Sequence, residues 1–176
     1  MSSLIITVVG PDRPGLVSAL ADCATEHGAN WSDSIMANFA GQFAGIVQLD
    51  VADARCAALT AALRGLESGD LRIQIASAQG AAPSAATRHL QLDLVGQDRP
   101  GIIHGISSQL ARHRVSIDKL QTHIASGAMS GEQLFHMRAQ LTVPAMLDTD
   151  DLRASLEGLA NELMVDISFD SGAVGA

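Results

Sequence analysis

A chain of 176 residues, 47% hydrophobic and 17% charged, can fill one medium core or two small ones and is too apolar to be disordered. Its formal net charge of −8, with 11 Lys and Arg scattered along the chain, excludes the basic face that direct nucleic-acid binding needs. No apolar run reaches the ~20 residues of a membrane-spanning helix, and two cysteines, Cys23 and Cys56, make no disulfide framework, so reduced thiols in a cytoplasmic protein are expected.

Met1 to Val9 is a short apolar run without the charged start of a signal peptide, and it reads as a strand that leaves at Gly10-Pro11. A helix follows, with Leu16, Val17, Leu20 and Ala24 on one face and His27 near its end. A second strand opens around Asn30, and the chain turns tightly at Ala40-Gly41-Gln42. Phe43, Val47, Leu49 and Val51 alternate as a strand, Leu59, Leu63 and Leu66 stripe a second helix, and Leu71, Ile73 and Ile75 close with a fourth strand.

The same series then repeats. Val8 to Val17 aligns with Leu94 to Ile103 at six identical positions of ten, including Asp-Arg-Pro-Gly in both, and three more positions exchange one aliphatic side chain for another. Ile102, Ile103, Ile106 and Leu110 repeat the first helical stripe, and His113 takes the place of His27. Phe135, Ala139, Leu141 and Val143 repeat the third strand, Leu152, Leu156 and Leu159 the second helix, and Val165, Ile167 and Phe169 the closing strand. The second hairpin carries about six more residues, around Ser126 to Glu132, with Gly127 and Gly131 among them. The fold class expected is α+β: two ferredoxin-like βαββαβ domains in tandem, each an antiparallel sheet with helices on one face. The domains are placed at 1–77 and 88–170, joined by an Ala- and Ser-rich linker at 78–87, with a frayed end at 171–176.

The repeated Gly-x-Asp-Arg-Pro-Gly joins the first strand to the first helix. Gly10 and Gly96 suit a sharp exit with positive φ available. Pro14 and Pro100 suit the first helical position, and they push Arg13 and Arg99 out of helical geometry. Gly15 and Gly101 leave the helix N-terminus bare, a place where backbone N–H groups and the helix dipole favour a small carboxylate. Asp12 and Asp98 suit a cap or a partner for an ammonium group. Taken alone, this loop reads first as a capped corner and second as a ligand site.

Asp-Arg-Pro-Gly followed by two aliphatic residues, after a strand and within βαββαβ, resembles the ACT domain, a family of small amino-acid-sensing modules. The resemblance covers nearly the whole chain as two domains, and Gly28 to Ser34 is similar to the family's second strand. A pair of this length without a catalytic or DNA-binding domain resembles the glycine cleavage system transcriptional repressor group. Similar pairs on formyltetrahydrofolate deformylases and uridylyltransferases come with a catalytic domain. In the family the ligand lies between two domains, against the first loop of one and the start of the second strand of another. The resemblance therefore implies Gly10, Asp12, Arg13, Gly15 and Asn30 in the first copy and Gly96, Asp98, Arg99, Gly101 and Ser116 in the second. Ser116 departs from the family's Asn, so unequal sites are expected, with Asn30 marking the better one. The implied function is a non-catalytic regulator that binds a small amino acid, glycine foremost, acts on a protein partner such as a transcription factor, and forms a homodimer. No cofactor and no metal are expected.

Other residues read more plainly. Cys23 and His27 share a helix face, but no third group is evident to complete a nucleophile. His89, His104, His123 and His136 lack metal-ligand spacing. Met36, Met129, Met137 and Met164 read as core fillers and loop residues. Asp148-Thr149-Asp150-Asp151 reads as a helix cap with favourable first-turn charges. Trp31 reads equally as core or as a ligand neighbour.

Overall fold

The computed structural model describes residues 1–78, 86–126 and 132–171. In chain order the elements are β1 (Ser2–Pro11), α1 (Leu16–Glu26), β2 (Asn30–Phe39), β3 (Gln42–Val51), α2 (Asp53–Gly65), β4 (Arg72–Ser77), β5 (Thr87–Gln97), α3 (Ile102–Arg112), β6 (Ser116–Ser126), β7 (Gln133–Pro144), α4 (Thr149–Leu163) and β8 (Val165–Ser171). The chain divides into two compact units, Met1–Ala81 and Ala82–Ala176. Each holds one four-stranded antiparallel sheet, ordered β2-β3-β1-β4 in the first and β6-β7-β5-β8 in the second. This is βαββαβ twice, as the repeat requires. Residues 127–131, 172–176 and most of the expected linker, including Gly127, Met129 and Gly131, lie outside the described residues.

Period-two alternation builds the strands. Leu4, Ile6 and Val8 of β1 and Phe43, Gly45, Val47, Leu49 and Val51 of β3 are buried, while the residues that alternate with them are more exposed. Helices α1 and α2 complete the first core with Leu16, Leu20, Cys23, Ala24, Leu59 and Leu63. The second unit repeats this with Leu92, Leu94, Ile102, Ile106, Leu110, Leu152 and Leu156. The strands thus bury one face under the helices and leave the other open.

The first hairpin turns on Ala40 (φ 50°) and Gly41 (φ 78°), both left-handed, which matches the twist of a two-residue hairpin and pairs Phe39 with Gln42. The two second strands share an irregularity. Pairing shifts between Trp31 and Asp33 in β2, and between Ile117 and Lys119 in β6. Trp31 is half-buried and packs against the first core. Asp148 caps α4 by accepting from Asp150 N–H at 2.8 Å.

Two expectations for the repeated loop need correction. Pro14 and Pro100 do not open the helices; α1 begins at Leu16 and α3 at Ile102, with Gly15 and Gly101 as N-caps. Ala19 N–H donates to the Gly15 carbonyl and Gly105 N–H to the Gly101 carbonyl, each at 2.9 Å, and these are the first helical bonds. Gly10 and Gly96 are not positive-φ positions; that conformation falls on Gly15 (φ 90°) and Gly101 (φ 97°). Gly10 and Gly96 serve close approach instead. A Cβ on Gly10 would lie 2.9 Å from the Asp70 carbonyl oxygen, and one on Gly96 would lie 2.8 Å from Val165 Cα.

On the open face of the second sheet, Asp93 accepts from Arg138 Nε and from Gln91 Nε2, both at 2.6 Å. Burial pushes the Asp93 carboxyl up, but these two hydrogen bonds and the Arg138 charge outweigh it and hold the group below its usual range. A depressed folded-state pKa adds stability that is complete above the unfolded value, ~3.9, and is lost as pH falls through the folded one. Arg138→Ala is expected to cost under about 1 kcal/mol at neutral pH, because Arg138 is well exposed. Urea unfolding should show that difference shrinking below about pH 4; an unchanged difference there would contradict the pairing.

Candidate ligand-binding loops

Each loop lies at the end of its sheet where β1 or β5 meets the neighbouring hairpin. Gly10 pairs with Phe43 and Pro11 with Gln42; Gly96 pairs with Phe135 and Gln97 with Leu134. Asp12 N–H donates to the Gly41 carbonyl at 2.9 Å, and Asn38 donates its side-chain amide to the Asp12 carboxylate. In the second unit Asp98 N–H donates to the Gln133 carbonyl at 3.0 Å. Both aspartates thereby tie the loop to the hairpin. Arg13 is exposed. Arg99 is half-buried, donating to Gln97 Oε1 at 2.9 Å with the Met164 sulfur 3.9 Å away.

Beyond each loop the helix begins uncapped. Neither α1 nor α3 has a side-chain cap, and neither carries an acidic residue in its first turn. Helices α2 and α4 differ, with Asp53 in one and Asp150 and Asp151 in the other. A Cβ on Gly15 or Gly101 would meet nothing within 4 Å, so the approach to these N-termini is open. First-turn N–H groups have no carbonyl one turn earlier to bond, and the helix dipole adds partial positive charge there.

Asn30 and Ser116 do not join these loops within their own units. Asn30 pairs with Asp50, which pairs with Ser3, while the loop follows Pro11 at the other end of β1. Eight residues of strand separate the two levels, roughly 27 Å. Ser116 likewise pairs with Thr142, opposite His89, at the far end from Gln97. Gly10 to Gly15 form one group, Gly96 to Gly101 another, and Asn30 and Ser116 stand apart from both.

The sequence reading missed Asn38, Asp70 and Arg72. An open hollow of about 370 Å³, lined by Gly10, Pro11, Gln42, Asp70 and Arg72 among others, lies beside the strand exit on the open face of the sheet. The tight turn at Ala40-Gly41 was the available signal for Asn38, because the hairpin register brings it beside Phe43 and so near the loop.

Other side chains settle into structural contacts. His27 Nδ1 lies 2.8 Å from the Cys23 carbonyl oxygen, not on the thiol, and burial pushes the Cys23 thiol up, away from the reactive thiolate. His123 and His136 stack with ring centroids 4.7 Å apart. Among the described residues no three His, Cys, Asp or Glu gather as a metal site, and no helix is long and apolar enough to cross a membrane.

This architecture defines a class. Residues 2–76 match the sequence model of the ACT domain, and the second unit repeats the first in topology and in its Asp-Arg-Pro-Gly loop. The first unit thus matches the ACT domain, and the chain has the fold of two such domains in tandem. Among solved structures it is similar to a protein of unknown function from Galdieria sulphuraria, with a TM-score of 0.86 and 26% identity, covering 98% of this chain and 99% of that one. It shares its fold with a candidate glycine cleavage system transcriptional repressor, with a TM-score of 0.69 and 19% identity, covering 96% of each chain. A UPF0237 protein, MK1213 of Methanopyrus kandleri, is 33% identical over 54 residues, 31% of this chain. The chain spans 60% of the length of that curated relative.

Proposed function

We propose that this chain is a cytoplasmic regulatory protein without catalysis of its own, that it binds a small amino acid, and that occupancy alters its hold on a protein partner. One observation carries the reading. The chain twice builds an open, uncapped and acid-free helix N-terminus behind the same loop, and places acid at the start of its other two helices. A carboxylate suits that end of a helix. Asp12 and Asp98 offer the opposite charge for an ammonium group, with Gly10, Arg13, Gly15, Gly96, Arg99 and Gly101 shaping the approach. Glycine is the favoured ligand, because a bare amino acid fits a site made chiefly of backbone, and because a neighbour in fold is named for the glycine cleavage system.

A ligand that touches both a loop and Asn30 or Ser116 must do so across two domains, since one small molecule cannot span ~27 Å of strand. Such a bridging ligand favours one domain arrangement over another, and it shifts that equilibrium only by its difference in affinity. The partner that reads the shift is a transcription factor in this proposal, since the chain's charge of −8 disfavours direct contact with nucleic acid.

A thermal-shift screen against the standard amino acids tests this. A ligand bound only by the folded chain raises its melting temperature by mass action, in a saturable way. Stabilisation by glycine or another small amino acid is expected. A melting temperature unmoved by all of them at millimolar concentration leaves a ligand-independent interaction module.

A further inference from the structure

The two units differ at the corner where β5 starts, β8 ends and α4 begins, although their folds repeat. In the second unit this corner holds an open hollow of about 450 Å³, a size suited to a small molecule, formed by Arg88, Leu90, Thr149, Leu152, Arg153 and Phe169. Leu152 is buried, and Leu90 and Phe169 pack half-buried against the second core, so one wall is apolar. The two guanidinium groups are each held by a neighbour. Arg88 Nη2 donates to the Leu147 carbonyl at 2.6 Å. Arg153 Cζ lies over the Phe169 ring, 5.5 Å from its centroid. Among the described residues neither arginine has an ion pair, in a chain where 19 Asp and Glu stand against 11 Lys and Arg. The first unit builds the same corner without them. Ser2 takes the place of Arg88, pairing with Val51 as Arg88 pairs with Val143. Thr60 follows Leu59 where Arg153 follows Leu152, and Ile75 pairs with Ile6 where Phe169 pairs with Leu92. The fold therefore requires neither the two arginines nor the aromatic ring.

We propose that this hollow binds a small organic phosphomonoester, a phosphate carried on a compact apolar or aromatic body. Charge and shape select the group. Each guanidinium presents its donors as a planar fork that matches phosphate oxygens, and two of them balance the nearly double negative charge of a phosphate better than the single charge of a carboxylate. The half-buried Thr149 adds a hydroxyl. The nearby acids leave the arginines to the ligand. Asp170 borders the hollow, but it pairs with Gln91 and alternates with Phe169, so its side chain belongs to the other face of the sheet. His89 likewise alternates with Arg88 and Leu90, and its Nδ1 lies 3.2 Å from Thr142 Oγ1. Asp148, Asp150 and Asp151 are exposed and do not line the hollow. Leu90, Leu152 and Phe169 face the organic part of the ligand. Arg88 stands nine residues of strand before Gln97, roughly 30 Å from the loop that follows it, so this site is separate from the repeated loops. The inference does not rest on the amino-acid reading.

Calorimetry of the full chain with phenyl phosphate and adenosine 5′-monophosphate tests it, beside inorganic phosphate and benzoate. Saturable binding of at least one ester is expected, tighter than that of inorganic phosphate or benzoate. Arg88→Ala and Arg153→Ala should each weaken it about tenfold or more, the value of hydrogen bonds to a charged group. Arg153→Lys keeps the charge and loses the fork, so it should recover only part of the affinity. Arg64→Ala, at an exposed arginine of the first unit, and Asn30→Ala should leave it unchanged. Arg88 and Arg153 are exposed, and thermal melts confirm that their variants fold. Absence of binding by both esters at millimolar concentration, or binding indifferent to both arginine substitutions, overturns the proposal. Benzoate bound as tightly as phenyl phosphate overturns the choice of a phosphate.

Discussion

Gly96→Ala is expected to destabilise the chain by about 2–3 kcal/mol, the largest stability effect of any single methyl added to the repeated loops. The cause is local. The added Cβ would stand 2.5 Å from Val165 Cγ1, 2.8 Å from Val165 Cα and 2.9 Å from Val165 Cβ, and β5 and β8 pair at this point. A clash with a side-chain tip could be relieved by rotation, but one with a strand Cα requires the ladder to move. Val165→Ala in the same chain should therefore recover only part of the loss, because it removes the Cγ1 contact and leaves the Cα one. Gly15→Ala offers a contrast. It meets open space, and its cost comes from left-handed backbone alone, about 1–2 kcal/mol. Urea unfolding followed by far-ultraviolet circular dichroism checks the order. Wild-type stability in Gly96→Ala would show that the close strand approach is absent.

The second large effect concerns binding. Asn30→Ala is expected to weaken amino-acid affinity by about tenfold or more, the value of a hydrogen bond to a charged group, while Ser116→Ala should have a smaller effect. The asymmetry follows from chemistry: a carboxamide offers both a donor and an acceptor and reaches further than a hydroxyl. Both residues are exposed at the start of an edge strand, so neither substitution removes core packing, and stability should hardly change. Trp31, the only tryptophan, follows Asn30 directly, so its fluorescence offers a readout beside calorimetry. If Ser116→Ala abolishes binding and Asn30→Ala leaves it untouched, the ranking of the two sites is reversed.

Most of the fold could be read from the chain itself. Leu16, Leu20 and Ala24 recur as Ile102, Ile106 and Leu110, and all six are buried. The alternation of Phe43 to Val51 likewise became the buried face of β3. Periodicity reports which side of an element is apolar, and duplication confirmed the reading. The candidate site was less legible. Gly10 and Gly15 look alike in sequence, yet one is required by a neighbouring carbonyl and the other by its own φ, and only tertiary contact separates these reasons. The place of Pro14 ahead of the helix rather than in it follows from Gly15 taking the left-handed cap. Asn30 was named with the loop by resemblance, but strand length sets the two at opposite ends of a unit.

Isothermal calorimetry of the full chain, titrated with glycine and then with the other standard amino acids, decides whether these loops serve an amino-acid ligand. Saturable heat with glycine or a similarly small amino acid is expected, weakened by Asn30→Ala. Absence of binding heat with every one of them at millimolar concentration, from a chain shown to be folded, would contradict it.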